Sequence, residues 1–206
     1  MANLDAPRGL TPIRHRNGAP YTGSGNPYYA ASDYATALYV GDPVVRVTGG
    51  SNDAAIKTPD GDFPIGTLGE VEKATVGANA ITGVIVAFGP LPTALGTQYN
   101  TASTERVIYV EDDPDVIFEI QCEAALSADQ VGLNAVLIYT NSGSTVTGRS
   151  GAEMDGGTTT APAADATYQL TFLRAVNKPN NDVTLTNCDV EVKINVHTEA
   201  HGVVGI

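Results

Sequence analysis

Three features of this sequence predict an all-β fold, a β-barrel or β-sandwich body with short turns and an extended N-terminal arm. Apolar residues alternate with polar ones at a period of two in the clearest segments, which is the pattern of a strand with one buried face. Glycine and proline are abundant, at 22 and 12 of 206 residues, as many short strands joined by tight turns require. No stretch carries the three-to-four-residue apolar period of a long helix.

Residues 1–35 read as the arm. Pro7, Pro12, Pro20 and Pro27 interrupt any helix, Gly9, Gly18, Gly23 and Gly25 add bends, and no apolar period is visible. Five of the nine tyrosines (Tyr21, Tyr28, Tyr29, Tyr34 and Tyr39) nevertheless fall in the first 39 residues. Tyrosine and arginine anchor protein interfaces. The arm is therefore expected to order on a partner, with Arg8, Arg14, Arg16, Tyr21, Tyr28, Tyr29 and Tyr34 as the contacts.

The body spans 36–206, with a division into two small β subdomains at about 36–122 and 123–206. Its first strand signal is Ala37–Thr48, with Leu38, Val40, Val44, Val45 and Val47 around Gly41-Asp42-Pro43. Ala80–Phe88 is an apolar run suited to a buried strand. Arg106–Glu111 and Asp115–Cys122 flank Asp112-Asp113-Pro114, which reads as a solvated hairpin turn; in the second of them Val116, Phe118, Ile120 and Cys122 share a face. Ala124–Val131 has room for a turn or two of helix capped by Ser127. Ala135–Thr140 and Thr167–Val176 follow as strands. Cys188–His197 alternates most strictly, with Cys188, Val190, Val192, Ile194 and Val196 on one face and Asp189, Glu191, Lys193, Asn195 and His197 on the other.

Charge narrows the range of partners. The chain carries −12 overall, but residues 1–35 sum to +1 and residues 36–206 to −13. A strongly negative body disfavours nucleic acid and anionic membranes, because phosphates are met by clustered Lys and Arg. No 18-residue apolar run predicts a membrane span, and the first ten residues lack the basic start and apolar stretch of a signal peptide. Folding in the cytoplasm of the producing cell is the expectation.

Motifs of catalysis are sparse. Gly148-Arg149-Ser150-Gly151 lacks the spacing of a nucleophile elbow, and Gly23-Ser24-Gly25 has no helix behind it to hold a phosphate. The spacing of His197, Glu199 and His201 would align three side chains on one strand face, yet it reads as a solvated polar edge. The carboxylates at Glu111, Asp112, Asp113 and Asp115 do not follow the spacing of a calcium loop. Cys122 and Cys188 both fall on apolar strand faces and read as small buried hydrophobes. No cofactor, metal site or catalytic residue is expected.

Several segments together resemble a family of tailed-bacteriophage virion proteins that decorate or cement the capsid. They are AITGVIVAF at 80–88, NTASTERVIYVEDDPDVIFEIQ at 100–121, ALSADQVGLN at 125–134, TVTGRSGAEMD at 145–155 and the closing KINVH. The resemblance covers about residues 37–197 and is most specific around Asp112-Asp113-Pro114. It implies a β-barrel or β-sandwich body on the outside of the head, non-enzymatic, with the major capsid protein and neighbouring copies of itself as partners. A homotrimer is implied, with a dimer as second choice. The competing reading is a tail or adsorption protein that binds host surface glycans; the absence of tryptophan speaks against the exposed aromatic platform that sugars favour.

Overall fold

The structure, a computed structural model, describes residues 3–23, 25–50, 56–58, 61–63, 66–77, 79–91 and 94–200. Fourteen strands are present among them, and no α-helix. The first eight are β1 (Thr11–His15), β2 (Asn26–Ala30), β3 (Pro43–Gly50), β4 (Ile56–Thr58), β5 (Gly61–Phe63), β6 (Gly69–Lys73), β7 (Gly83–Phe88) and β8 (Arg106–Glu111). The remaining six are β9 (Val116–Cys122), β10 (Asn134–Ala135), β11 (Leu137–Tyr139), β12 (Ala152–Met154), β13 (Leu170–Ala175) and β14 (Cys188–Ile194). The predicted helical turn is a 3-10 turn at Ala128–Gln130, where the Gln130 side-chain oxygen accepts the Ser127 N–H at 2.7 Å.

Two lobes result. The first is a closed barrel in the order β2-β6-β3-β7-β8, filled by Tyr28, Ala30, Leu38, Val44, Val71, Ile85, Ile108 and Val110. Closure depends on β2, which runs antiparallel to β8 from Asn26↔Val110 to Ala30↔Arg106 and parallel to β6 at Tyr29↔Glu70. Closing the barrel removes the unpaired sheet edge that an open array of short strands would expose. The β4–β5 pair is a separate small hairpin.

The second lobe is a seven-stranded sheet with the path β10-β13-β14-β9-β12-β11, and β1 attached to β9. Strand β9 is its centre: β14 pairs along one edge, while β1 and then β12 occupy the other. The alternation read from sequence is realised here. Val116, Phe118, Ile120 and Cys122 of β9 pack with Cys188, Val190, Val192 and Ile194 of β14, all of them buried. Leu10, Ala74, Ile81 and Val84 join the same core, so the N-terminal segment and the barrel side help to close it.

Three expectations are corrected. Residues 1–35 do not form an arm apart from the body. Leu10 is 1% exposed and Tyr29 3%, β1 is a sheet strand, and β2 is a stave of the barrel. Leu10, Tyr28, Tyr29, Ala30 and Ala31 are each buried there although no apolar period marks them. The lobes also divide elsewhere than at residue 122: barrel strands run from 26 to 111, and β9 belongs to the second sheet. Finally, Asp112-Asp113-Pro114 is not a hairpin turn, because β8 and β9 do not pair; it carries the chain from one lobe to the other.

Candidate interaction surface

The seven N-terminal residues singled out in the sequence are brought together only in part. Arg8 donates to Glu119 and lies 3.2 Å from Asp189, and Arg14 donates to Glu191. Both guanidiniums therefore reach carboxylates on the outer face of β9 and β14 within the same chain. Asn3 extends this clasp, donating to the carbonyls of Asp182 and Thr186 at 2.8 and 2.9 Å. Arg16 differs: it is exposed, its backbone N–H donates to Asp115, and its guanidinium has no partner among the described residues.

The tyrosines serve the barrel. Tyr28 is buried and donates its hydroxyl to Asp112 at 2.7 Å; burial, then that carboxylate, push its ionisation well above the usual phenol range. Tyr29 packs with Ala31, Leu68 and Val107. Tyr34 is half-buried, and its hydroxyl accepts the Lys73 N–H at 3.0 Å. Tyr21 sits beside Glu111, where burial and that carboxylate raise its pKa to about 12. Arg8, Arg14, Tyr28, Tyr29 and Tyr34 are thus engaged within the chain itself and do not stand in a free arm.

A buried polar joint fastens the segment to both lobes. Asp42, fully buried, accepts the Tyr39 N–H at 2.8 Å and the Ser150 hydroxyl at 2.5 Å, and lies 2.9 Å from Lys73. Burial raises the Asp42 carboxyl, and Lys73 and the Ser150 bond oppose it. The Lys73 ammonium also stands 4.4 Å from the Tyr139 ring centre. Gly9 crosses over this joint at φ +71, and Leu10 N–H donates to Gly41 at 2.9 Å. A Cβ at Gly9 would strike the Gly41 carbonyl and the Ser150 side chain. No sequence signal marked this crossing beyond the glycine itself.

The outer face of the second sheet is laid out by the alternation of β9 and β14. Glu119 and Ile117 of β9 stand opposite Glu191 and Lys193 of β14 in register, while the core residues point the other way. Arg174 of β13 donates to both Glu191 oxygens at 2.9 Å, and Lys178 bonds Asp189. Burial alone would raise the Glu191 carboxyl, but the Arg174 and Arg14 donors outweigh it and hold it below its ordinary value.

A groove of about 530 Å³ between the N-terminal segment and the barrel is walled by Leu10, Pro12, Tyr21, Val86 and Tyr109, with Arg149 on its lining. His15, Glu111, Asp112 and Asp113 gather near the lobe crossing, with His15 Nδ1 3.1 Å from Asp113. No group of three or more His, Cys, Asp or Glu among the described residues is arranged to hold a metal ion. His197 is buried rather than solvated, with a pKa lowered chiefly by burial, and its Nδ1 accepts the Glu199 N–H at 3.0 Å. His201 lies outside the described residues. Cys122 and Cys188 are free, fully buried and directly opposite each other across β9 and β14. Their mutual hydrogen bond and burial push the Cys122 thiol far above the ordinary range.

No protein-family model, no curated protein and no solved structure matches this chain.

Proposed function

We propose that this chain is a non-enzymatic structural protein of a virus particle that binds the outer surface of a tailed-phage capsid and stabilises it. The observation that carries the reading is the placement of the residues that resemble that family. AITGVIVAF supplies β7, and the segment from Asn100 to Gln121 supplies β8, the lobe crossing and β9, which lies at the centre of the second sheet. The most specific part of the resemblance, Asp112-Asp113-Pro114, is the crossing itself, tied down by Asn26 and Tyr28 on Asp112 at 2.7 Å each. The resemblance thus follows the spine of the molecule, not one peripheral loop.

The partners under this reading are the major capsid protein and further copies of this chain, with a homotrimer as the working assembly and a dimer second. The chain would act from the virion exterior after folding in the host cytoplasm. The test is localisation in purified particles, followed by addition of the protein to heads lacking it. Density on the outer head surface, together with greater resistance of the refilled heads to heat, supports the reading. Density confined to the tail would move the chain to the glycan-binding adsorption class, and absence from particles would end the proposal.

A further inference from the structure

The outer face of the second sheet differs in charge from the rest of the molecule. Six of the eleven lysines and arginines, namely Arg8, Arg14, Arg16, Arg174, Lys178 and Lys193, lie on or beside it. Six carboxylates, Asp5, Asp115, Glu119, Glu153, Asp189 and Glu191, lie on or beside the same face, so the charges balance there while the whole chain carries −12.

The arrangement in depth makes the face more basic than that balance. Glu119, Asp189 and Glu191 lie beneath, with side chains 21%, 8% and 10% exposed, whereas Arg174, Lys178 and Arg8 lie above them at 61%, 38% and 30%. A partner would meet guanidinium and ammonium groups whose own counter-charges are already covered.

Beside this layer, Arg16 and Lys193 line a slot of about 120 Å³ with Pro114, Asp115, Ile117 and Leu173. Neither cation has a side-chain hydrogen bond or ion pair among the described residues. In a chain this acidic, two uncommitted cations beside an apolar recess are the groups a partner's carboxylate can pair with without first breaking an internal contact. Such a site, an apolar floor with cationic walls, suits an acidic side chain whose methylene stem enters the recess while its carboxylate meets the rim.

We infer that the outer face of the second sheet is a docking surface for an acidic protein partner, with Arg16 and Lys193 as the anchoring pair. The inference rests on the proposed virion role, in which that partner is the capsid shell. It commits to protein over nucleic acid because a slot of about 120 Å³ admits a single carboxylate between two cations, whereas a phosphate backbone brings a negative charge at every step and Arg16 and Lys193, less Asp115, leave only a formal +1 there to meet it.

The experiment compares wild type with the double charge reversal Arg16→Glu/Lys193→Glu in binding to heads assembled without this chain. Both side chains are uncommitted, so the variant should keep the wild-type melting temperature. A second variant, Arg16→Gln/Lys193→Gln, removes the charge without reversing it. The expected result is a loss of affinity of about tenfold or more for the reversal, a smaller loss for the neutral variant, and a wild-type affinity that falls steeply with added salt. Equal binding by wild type and reversal would overturn this inference and leave the virion role standing. Failure of wild type to bind would overturn both. Self-association of wild type that the reversal abolishes would reassign the face to contact between copies, and retention of a DNA oligonucleotide would reassign it to nucleic acid; either overturns the inference.

Discussion

Leu10→Ala separates two physical pictures of the N-terminal segment. If the segment were a tail that orders only on a partner, truncating Leu10 would leave the isolated protein unchanged. In the structure Leu10 is 1% exposed and belongs to the core of the second lobe, beside the glycine that crosses the Asp42 joint. Removing a fully buried leucine side chain costs about 2–5 kcal/mol, the transfer of the lost methyl groups plus the cavity left behind. For a chain of 206 residues each kcal/mol corresponds to about 2–4 °C, so a fall of about 4–20 °C in melting temperature is expected. The assay is thermal or urea unfolding of the isolated full-length protein, with Leu4→Ala as the internal control. Leu4 lies in the same segment but is 79% exposed, and its truncation should shift the midpoint by less than about 0.5 kcal/mol. If Leu10→Ala melts with wild type, the segment is not docked in the free protein and the clasp does not form there.

Three further outcomes follow from buried polar groups. Asp42→Ala strands the Lys73 ammonium and removes the acceptor of Ser150 and Tyr39, so it should destabilise by about 3–5 kcal/mol, read by urea denaturation; a change below 1 kcal/mol, to be set against about that much for Ser150→Ala, would contradict the joint's role. Cys122 and Cys188 should resist thiol labelling in the native state and both react after denaturation, since each is fully buried; rapid labelling of native protein would show the second core to be open. His197 is held neutral by burial, against the weaker pull of Asp112, Glu199 and Asp113. Its contribution is present above the unfolded value of 6.5 and is lost as pH falls through the lower folded value, because the unfolded imidazole takes up its proton first. Unfolding free energy should therefore drop more between pH 6.5 and 5 for wild type than for His197→Gln, and parallel profiles would show the imidazole to be solvated.

Much of the fold was legible because a strand with one buried face writes its geometry into sequence. Cys188–Ile194 alternates without exception and Val116–Cys122 does so but for Ile117, and they became the paired centre of the second sheet. Short strands carry too few residues to show a period: β12 is three residues, all buried, and β10 only two. Strand β2 was obscured for a different reason. Its Asn-Pro-Tyr-Tyr-Ala sequence places Tyr28 and Ala30 in the barrel core and Tyr29 in a second cluster, so both faces are covered and nothing alternates. A proline at its start and glycines before it look like disorder in one dimension. In three dimensions Pro27 is tolerated within β2 opposite Tyr109, and Gly25 fits where a Cβ would crowd Val86.

The electrostatics of the segment show where sequence reasoning reaches its limit. A basic N-terminus and a strongly acidic remainder predict that the two attract, and that attraction is present: Arg8 and Arg14 lie on Glu119, Asp189 and Glu191. Charge complementarity in a sequence carries no information on whether the acidic surface belongs to the same copy or the next one. Proximity decides it. An intramolecular partner is present at an effective concentration in the millimolar range when the connecting chain is short and flexible. Strand pairing of β1 with β9 adds backbone hydrogen bonds that a second copy would have to displace. Once Arg8 and Arg14 are satisfied in cis, they offset the carboxylates of the sheet, and the face loses the acidity of the rest of the chain. The groups left to reach outward are the ones this internal pairing does not use, Arg16 and Lys193. An interface read from composition alone was therefore assigned to residues that build the face, and the uncommitted cations beside them are the ones free to engage a partner.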